Sequence, residues 1–584
     1  MKTASLYLLL AVVFCGAQAA TPEPGPVDLH WGVKIPMRDG VQLQATVYTP
    51  RDQPKPAPCI FTLTPYIAQS YHDRGMYFAA HGYPFLTIDV RGRGNSQGQF
   101  RPLIQEAHDG YDIVEWLARQ PYCNGKVTMW GGSYAGYDQW VTAAQMPPHL
   151  ATIVPAAAPY AGVDFPFRNN IFYPYDVQWL TFVNGHAAQT NLFGDDLFWK
   201  GYFRHWLESG EPFNGLGEVL GDAAPLFQEW VAHPYQDAYW DQYNPTAAQY
   251  AKLTLPILTI TGSYDDDQPG ALQHYREYMR NASPESKARH YLIIGPWDHA
   301  GTRTPNAQVG GLTFGAASLV DLPRLHLEWY AWTMQDGPKP AFLEKPVAYY
   351  VMQADRWRYA DNLDAVTAEL RPYHLDSRQN ATDALAAGSL QPEAATGSPD
   401  HFISDPHDTS LAEIEYGGDP SALTDQRLVY AQRGHELVYH TAPFEKDTEV
   451  SGFFKLSAWI AIDQPDADLQ VHVYEIGADG SSVALTSDLI RARYRDSLRD
   501  PKLVQTKAPL RYDFERFTFV SRLIRKGSRL RLVIAPINSI YSEKNYNSDG
   551  VVASETMRDA RPVTVTLFHD RKHQSLLFVP VGQP

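Results

Sequence analysis

The sequence predicts an α/β fold with an inserted helical segment, followed by a domain built from β-strands. Residues 30–160 alternate short apolar runs with helix-like segments, which is the order of a largely parallel sheet covered by helices. Residues 165–250 are irregular and rich in aromatic side chains. Beyond residue 338 the chain changes to short alternating runs separated by turn residues, which is typical of an all-β domain.

The length of 584 residues favours several domains, because one hydrophobic core stops growing at roughly 250–300 residues. We divide the chain into a leader at 1–20, an α/β domain at 21–162 and 251–338, a helical cap at 163–250, and a C-terminal β-sandwich at 339–584.

The predicted elements follow from apolar periodicity and turn signals. The α/β domain is predicted to contain the strands His30–Met37, Val41–Tyr48, Cys59–Thr64, Phe85–Val90, Val127–Trp130, Thr152–Ala157, Ile257–Thr261 and Tyr291–Ile294. Its predicted helices are Gly75–Ala80, Ala107–Arg119, Tyr134–Gln145 and Leu319–Met334. The predicted strands of the C-terminal domain include Val450–Ala461, Leu469–Glu475, Arg516–Val520, Leu530–Ile534 and Val563–Phe568.

The first residues have the pattern of a secretory signal peptide. Lys2 supplies a positive charge, Leu6–Cys15 is a mostly apolar stretch, and Ala17-Gln18-Ala19 is a small-x-small cleavage site. We therefore expect a secreted or periplasmic protein.

Behind this leader only Cys59 and Cys123 remain, which could form one disulfide but not a disulfide scaffold. Neither has the spacing of a metal ligand, so no metal site is predicted.

The charge balance narrows the class of partner. A formal net charge of −16 argues against nucleic acid and anionic membranes, both of which reward clustered Lys and Arg. No segment after the leader approaches about 18 uninterrupted apolar residues, so no membrane span is predicted. A homo-oligomer is compatible with the sequence.

Ser133 lies in the sequence Trp130-Gly131-Gly132-Ser133-Tyr134-Ala135-Gly136, at a predicted turn from strand to helix. A serine at such an elbow has a strained backbone, so the residues two before and two after it must be small. Gly131 and Ala135 meet that requirement. The motif indicates a nucleophilic serine, although such a turn can also be purely structural.

Asp265 and His299 follow two later predicted strands, at the carboxyl ends where open α/β sheets place their sites. A serine hydroxyl needs a general base, and the base needs a carboxylate that fixes its tautomer. The order Ser133, Asp265, His299 is that of α/β-hydrolases. Taken singly, an acidic triplet such as 265–267 is more often a solvated loop, and one histidine is more often structural.

These residues belong to a set of motifs that resembles a known family. The motifs are Pro36-Met37-Arg38-Asp39-Gly40-Val41, Thr64-Pro65-Tyr66, Asp89-Val90-Arg91-Gly92-Arg93-Gly94-Asn95-Ser96-Gln97-Gly98, Gly131-Gly132-Ser133-Tyr134-Ala135-Gly136, Gly262-Ser263-Tyr264-Asp265 and Gly295-Pro296-Trp297-Asp298-His299. Over essentially the whole mature chain the sequence resembles the cocaine esterase-like hydrolases, which include X-prolyl dipeptidyl aminopeptidases, glutaryl-cephalosporin acylases and α-amino ester hydrolases. The family often has tryptophan where Ser263 stands.

The resemblance implies an α/β-hydrolase domain with a helical cap and a C-terminal jelly roll. It implies Ser133 as nucleophile, His299 as general base, and Asp265 as its orienting partner. It further implies an oxyanion hole formed by the Tyr66 hydroxyl and the Tyr134 backbone amide. No cofactor or metal is implied, and the substrate would be a small ester, amide or short peptide.

The substrate stays open at this point. The first hypothesis is an acylase or esterase acting on small amides or esters. The second is a peptidase that removes N-terminal dipeptides, which needs a carboxylate for the free ammonium group, with Asp164, Asp176, Asp195 and Asp196 as candidates. A third hypothesis is a carbohydrate-binding protein with an idle hydrolase domain.

Overall fold

The structure is a computed structural model, and it describes residues 26–583. The α/β part holds two six-stranded sheets. In order of pairing, the first contains Val27–Pro36, Gln42–Pro50, Phe85–Asp89, Ala57–Thr64, Cys123–Met129 and Leu150–Thr152, and the second contains Arg356–Ala360, Val347–Val351, His290–Asp298, Ile257–Tyr264, Pro155–Ala156 and Gly131–Gly132. The chain passes from one sheet to the other at Trp130, and a parallel bridge between Ile153 and Ile257 lies where the two sheets meet.

The central strands pair in parallel, so their carboxyl ends lie along one edge. The helices of this part are His72–Ala80, Glu106–Leu117, Tyr134–Ala144, Gln268–Asn281, Pro284–Lys287 and Leu322–Met334. The predicted α/β fold is confirmed. The predicted single strand Thr152–Ala157 is two short strands, Leu150–Thr152 and Pro155–Ala156.

The α/β sheet continues past the predicted domain boundary at residue 338. Val347–Val351 is buried along its whole length and pairs in parallel with His290–Asp298, and Arg356–Ala360 then pairs antiparallel with it. The Pro338-Lys339-Pro340 segment is therefore a loop within the α/β part. The continuous apolar run from Val347 was the available signal, since strands covered on both faces read this way.

The cap begins with the short strands Phe167–Arg168 and Ile171–Phe172. Its helices are Tyr175–Val183, Thr190–Phe193, Asp196–Ser209, Phe213–Ala223, Ala224–Val231, Ala238–Asp241 and Ala247–Lys252. Most of its aromatic side chains, including Trp199, Trp206 and Trp230, form a buried core of their own, which Ile540 of the C-terminal domain joins. The cap is thus packed against the C-terminal domain.

The C-terminal domain contains a 13-stranded sheet. Its strands are Thr367–Asp376, Gly388–Gln391, Asp400–Ser404, Leu437–Thr441, Thr448–Gly452, Lys455–Ile462, Asp468–Ile476, Ser482–Arg491, Leu510–Phe514, Val520–Ile524, Arg529–Pro536, Val563–Phe568 and Leu576–Gly582, with helices at Leu411–Tyr416 and Arg427–Ala431. The predicted strand Arg516–Val520 is wrong: most of it is the link between Leu510–Phe514 and Val520–Ile524. Its residues contact the cap and the helix Gln268–Asn281 instead, as in the hydrogen bond from Phe519 N to Gln268 Oε1 at 2.6 Å.

The predicted signal peptide at 1–20 lies outside the described residues. Within residues 26–583, no helix combines the length and apolar character that crossing a membrane requires. Cys59 and Cys123 lie on neighbouring strands as buried free thiols. No group of three or more His, Cys, Asp or Glu in this same part of the chain is arranged to hold a metal ion.

Candidate active site

Ser133 occupies the predicted elbow, between the strand Gly131–Gly132 and the helix Tyr134–Ala144. Its φ of 61° and ψ of −129° lie in a region that residues with a side chain rarely adopt. A Cβ on Gly131 would come within 2.5 Å of the Ala135 Cβ, which explains why both positions are small. The strained turn leaves the Ser133 side chain half-buried at the carboxyl edge of the sheet.

Asp265 and His299 come together at the ends of the neighbouring parallel strands Ile257–Tyr264 and His290–Asp298. The distance from His299 Nδ1 to Asp265 Oδ1 is 2.8 Å. Asp265 is fully buried as a side chain and accepts two further hydrogen bonds, from Thr261 Oγ1 at 2.8 Å and from the amide of Asp267 at 3.1 Å. With Asp265 as acceptor at Nδ1, the His299 Nε2 atom is left to take up a proton.

The electrostatics of His299 favour its charged form. Burial lowers the pKa of His299, but the hydrogen bond with Asp265 and the charges of Asp267 and Asp265 outweigh it, so its pKa lies above 6.5. Asp267 contributes from a short distance, since its Oδ2 lies 3.8 Å from His299 Nδ1. This environment stabilises the imidazolium that forms when a histidine accepts a proton from a serine.

Tyr66 follows the strand Ala57–Thr64 and faces Ser133. Trp179 Nε1 of the cap donates a hydrogen bond to the Tyr66 hydroxyl at 3.2 Å, and the Tyr66 ring stacks on Phe182 with centroids 5.4 Å apart. Burial raises the pKa of Tyr66, and hydrogen bonds with Trp179 and Ser133 lower it only in part. The hydroxyl therefore keeps its proton and is available as a donor beside the serine.

Tyr134 is the first residue of the helix after the elbow, where backbone N–H groups have no acceptor within the helix. Its side chain is held firmly. The hydroxyl donates to Glu106 Oε1 at 2.6 Å and accepts from the Leu103 amide at 2.7 Å, and the ring stacks on Trp179 at 6.2 Å. Sequence reasoning missed Glu106, a buried acid whose only sequence signal is its place at the start of a helix.

The four acidic candidates for an ammonium site differ in burial and in their hydrogen bonds. Asp195 caps a helix by accepting from the Phe198 amide at 3.1 Å, and the Asp196 side chain is 76% exposed. Asp164 accepts hydrogen bonds from the backbone amides of Tyr160 and Gly270. Only Asp176 is fully buried with no hydrogen-bond partner for either carboxyl oxygen among the described residues.

Carboxylates of the α/β part also act electrostatically on the cap residue Tyr175. The pKa of Tyr175 is raised, first by partial burial and then by the charges of Tyr66 and Asp267. Asp266 and Asp176 act on it in the same direction. The charges of Asp267, Asp266 and Asp176 therefore all disfavour ionisation of the Tyr175 hydroxyl.

Two family models match this chain in succession. The model of X-Pro dipeptidyl-peptidase (S15 family) matches residues 39–301, and that of the X-Pro dipeptidyl-peptidase C-terminal non-catalytic domain matches residues 341–577. A cocaine esterase from Rhodococcus sp. (strain MB1 Bresler) is 25% identical over 95% of this chain and 99% of its own length. The chain belongs to the cocaine esterase-like serine hydrolases.

Solved structures of this family agree in fold. An α-amino acid ester hydrolase has a TM-score of 0.80 at 21% identity, covering 97% of this chain and 99% of that one. An aminopeptidase from the marine sediment archaeon Thaumarchaeota archaeon has a TM-score of 0.79 at 21% identity, covering 98% and 99%. As a member of the family, the protein is a hydrolase of the serine type that cleaves ester or amide bonds.

Proposed function

We propose that this protein hydrolyses small esters or amides by acyl transfer through Ser133, with His299 as general base and Asp265 as its orienting partner. The observation that carries the proposal is the 2.8 Å contact between His299 Nδ1 and Asp265 Oδ1, made at the same edge of the sheet as the strained Ser133.

The mechanism follows from these positions. His299 Nε2 takes the hydroxyl proton as Ser133 Oγ attacks the carbonyl carbon, and Asp265 stabilises the imidazolium. The Tyr66 hydroxyl and the Tyr134 amide donate to the oxyanion of the tetrahedral intermediate. His299 then protonates the leaving group, and water, deprotonated by His299, hydrolyses the acyl-enzyme.

A panel of p-nitrophenyl esters tests this activity, with Ser133→Ala as the variant. We expect turnover of short-chain esters by the natural protein and a fall in kcat of at least about 10³-fold in Ser133→Ala, because the nucleophile is removed. The matched control is Ser70→Ala, which makes the same chemical change at an exposed serine. Equal turnover by Ser133→Ala and the natural protein would refute the proposed nucleophile.

The second candidate function, release of N-terminal dipeptides in the manner of an X-prolyl dipeptidyl aminopeptidase, is favoured by Asp176. A fully buried carboxyl without a partner is costly, and the ammonium group of a peptide would supply that partner. Turnover of glycyl-prolyl p-nitroanilide, with no turnover of the esters, would favour this function over the first. In that case Asp176→Asn should raise KM for the anilide about tenfold or more, while Asp196→Asn, at an exposed position, should not.

Four finer predictions stand as part of this proposal. The leader pattern supports export to the periplasm or medium, which N-terminal sequencing of the mature protein tests. The net charge of −16 supports the absence of nucleic acid and membrane partners. The jelly-roll connectivity of the C-terminal domain rests on the family resemblance, and a homo-oligomer is tested by light scattering.

A further inference from the structure

Arg303 lies directly against the nucleophile elbow. It follows His299 and the short turn Ala300–Thr302, and its side chain fills the space beside Gly132, the residue before Ser133. A Cβ on Gly132 would come within 2.5 Å of Arg303 Nη1 and 2.7 Å of Arg303 Cδ. The guanidinium can occupy this place only because residue 132 is a glycine.

Arg74, from the helix His72–Ala80, approaches the same place. Its Nη2 donates to Thr304 Oγ1 at 2.6 Å and to the Arg303 carbonyl at 3.4 Å, and its guanidinium lies over the Trp130 ring at 5.3 Å. Burial and the charge of Arg303 lower the pKa of Arg74. The two guanidinium groups thus repel each other beside the elbow.

The charge of the neighbouring Asp73 favours the charged form of Arg74, but Asp73 forms no ion pair with the Arg74 guanidinium among the described residues. Within residues 26–583 neither Arg74 nor Arg303 forms an ion pair, and the hydrogen bond that the Arg303 guanidinium makes there is from Nη1 to Thr302 Oγ1, at 3.2 Å. The chain has 65 acidic against 49 basic side chains, and it supplies carboxylates to other partly buried arginines, such as Asp39 and Asp109 to Arg91. Two like charges left unpaired are unfavourable, and a bound anion would offset that cost.

We propose that Arg303, supported by Arg74, binds a carboxylate group of the substrate beside the scissile bond. This inference rests on the proposed role of Ser133 and adds the substrate class, namely esters or amides that carry a carboxylate. The planar guanidinium suits a carboxylate because its parallel N–H groups match the two oxygens. The carboxylate can belong to the acyl group or to the leaving group, and both place a negative charge near the reacting carbonyl.

Two pairs of substrates show whether the carboxylate is recognised on the acyl group or on the leaving group. The acyl pair is p-nitrophenyl hydrogen adipate and its neutral methyl ester. The leaving-group pair is 4-(butyryloxy)benzoate and its neutral methyl ester. For each pair the measured quantity is the ratio of kcat/KM for the anionic substrate to kcat/KM for the neutral one, in the natural protein and in Arg303→Gln, Arg303→Lys and Arg74→Gln.

We expect the natural protein to prefer the anion in one pair, and Arg303→Gln to lower that ratio about tenfold or more, since a charge-assisted pair is lost. Arg303→Lys should retain part of the preference and Arg74→Gln should lower it less. The matched control is Arg119→Gln, an exposed arginine after the helix Glu106–Leu117, at the amino-terminal edge of the sheet and away from Ser133.

The inference is overturned if the natural protein prefers the neutral member of both pairs, or if Arg303→Gln lowers kcat/KM equally for both members. It is also overturned if Arg119→Gln changes the ratio as much as Arg303→Gln does. Labelling of Ser133 by a neutral fluorophosphonate distinguishes failure of the carboxylate proposal from failure of the proposed function. Labelling that persists in Arg303→Gln shows that the nucleophile is intact in the variant in which the carboxylate preference is tested. Unlabelled natural protein would refute the proposed function itself.

Discussion

Tyr66→Phe tests the oxyanion hole and the packing of the cap in one substitution. The change removes a hydroxyl that contacts Ser133 and that accepts the 3.2 Å hydrogen bond from Trp179 Nε1. Loss of one oxyanion donor should lower kcat by about 10²- to 10³-fold, with a much smaller change in KM, because the donor acts mainly in the transition state.

The same substitution leaves the Trp179 N–H without its acceptor. Trp179 is 5% exposed, so water replaces the lost partner poorly, and we expect the free energy of unfolding to fall by about 1–3 kcal/mol. Trp179→Phe is the matched variant for this effect. It removes the donor and leaves the Tyr66 hydroxyl in place, so it should reduce stability with a smaller loss of kcat than Tyr66→Phe.

The assays are steady-state kinetics on p-nitrophenyl acetate and urea unfolding followed by tryptophan fluorescence. Tyr202→Phe is a control, since that cap hydroxyl bonds to the Leu216 carbonyl at 3.1 Å. A kcat for Tyr66→Phe within threefold of the natural value would refute the role given to this hydroxyl.

Three further predictions concern the elbow, the base and the buried acid. Because the pKa of His299 is raised and the base must be neutral, kcat/KM should fall as pH drops through a value above 6.5. Asp267→Asn should shift this acidic fall of the pH–rate profile to lower pH. A profile that does not shift in Asp267→Asn would contradict the role of Asp267. Gly131→Ala places a Cβ 2.5 Å from the Ala135 Cβ at a φ of +148°, so we expect a lower Tm and a kcat at least about tenfold lower. The control is Gly480→Ala, where a Cβ would have no atom within 4 Å, and this variant should keep the natural kcat. An unchanged kcat in Gly131→Ala would contradict the requirement for a small residue before the elbow. Burial raises the pKa of Glu106 to about 7, above its unfolded value, so its contribution to stability is complete below about pH 4.5 and is lost as pH rises through 7. The free energy of unfolding of Glu106→Gln minus that of the natural protein, measured by urea unfolding, should therefore increase by about 2–3 kcal/mol from pH 5 to pH 8. An equal difference at the two pH values would contradict this.

Ser133, Asp265 and His299 could be predicted as neighbours because each follows a predicted strand, and a parallel sheet brings the carboxyl ends of its strands to one edge. Local patterns also predicted most elements of the α/β part. The sequence did not reveal that the sheet of the α/β part continues beyond residue 338, because a proline-rich loop resembles a linker, whereas the buried strand Val347–Val351 pairs with the preceding sheet.

Other parts of the site depend on contacts between distant segments. Tyr66 was identified only through the family resemblance, since its contact with Trp179 joins residues 113 positions apart. Glu106 and Arg303 carry no motif of their own, and their places beside Tyr134 and Gly132 appear only once the chain is folded.

The most direct test of the central claim is covalent labelling. The natural protein and Ser133→Ala are treated with a fluorophosphonate, and intact-mass spectrometry and peptide mapping locate the adduct. The proposed mechanism predicts one adduct per chain on Ser133 and none in the variant. Labelling at another residue, or none in the natural protein, would contradict it, and the latter would favour a binding protein with an idle hydrolase domain.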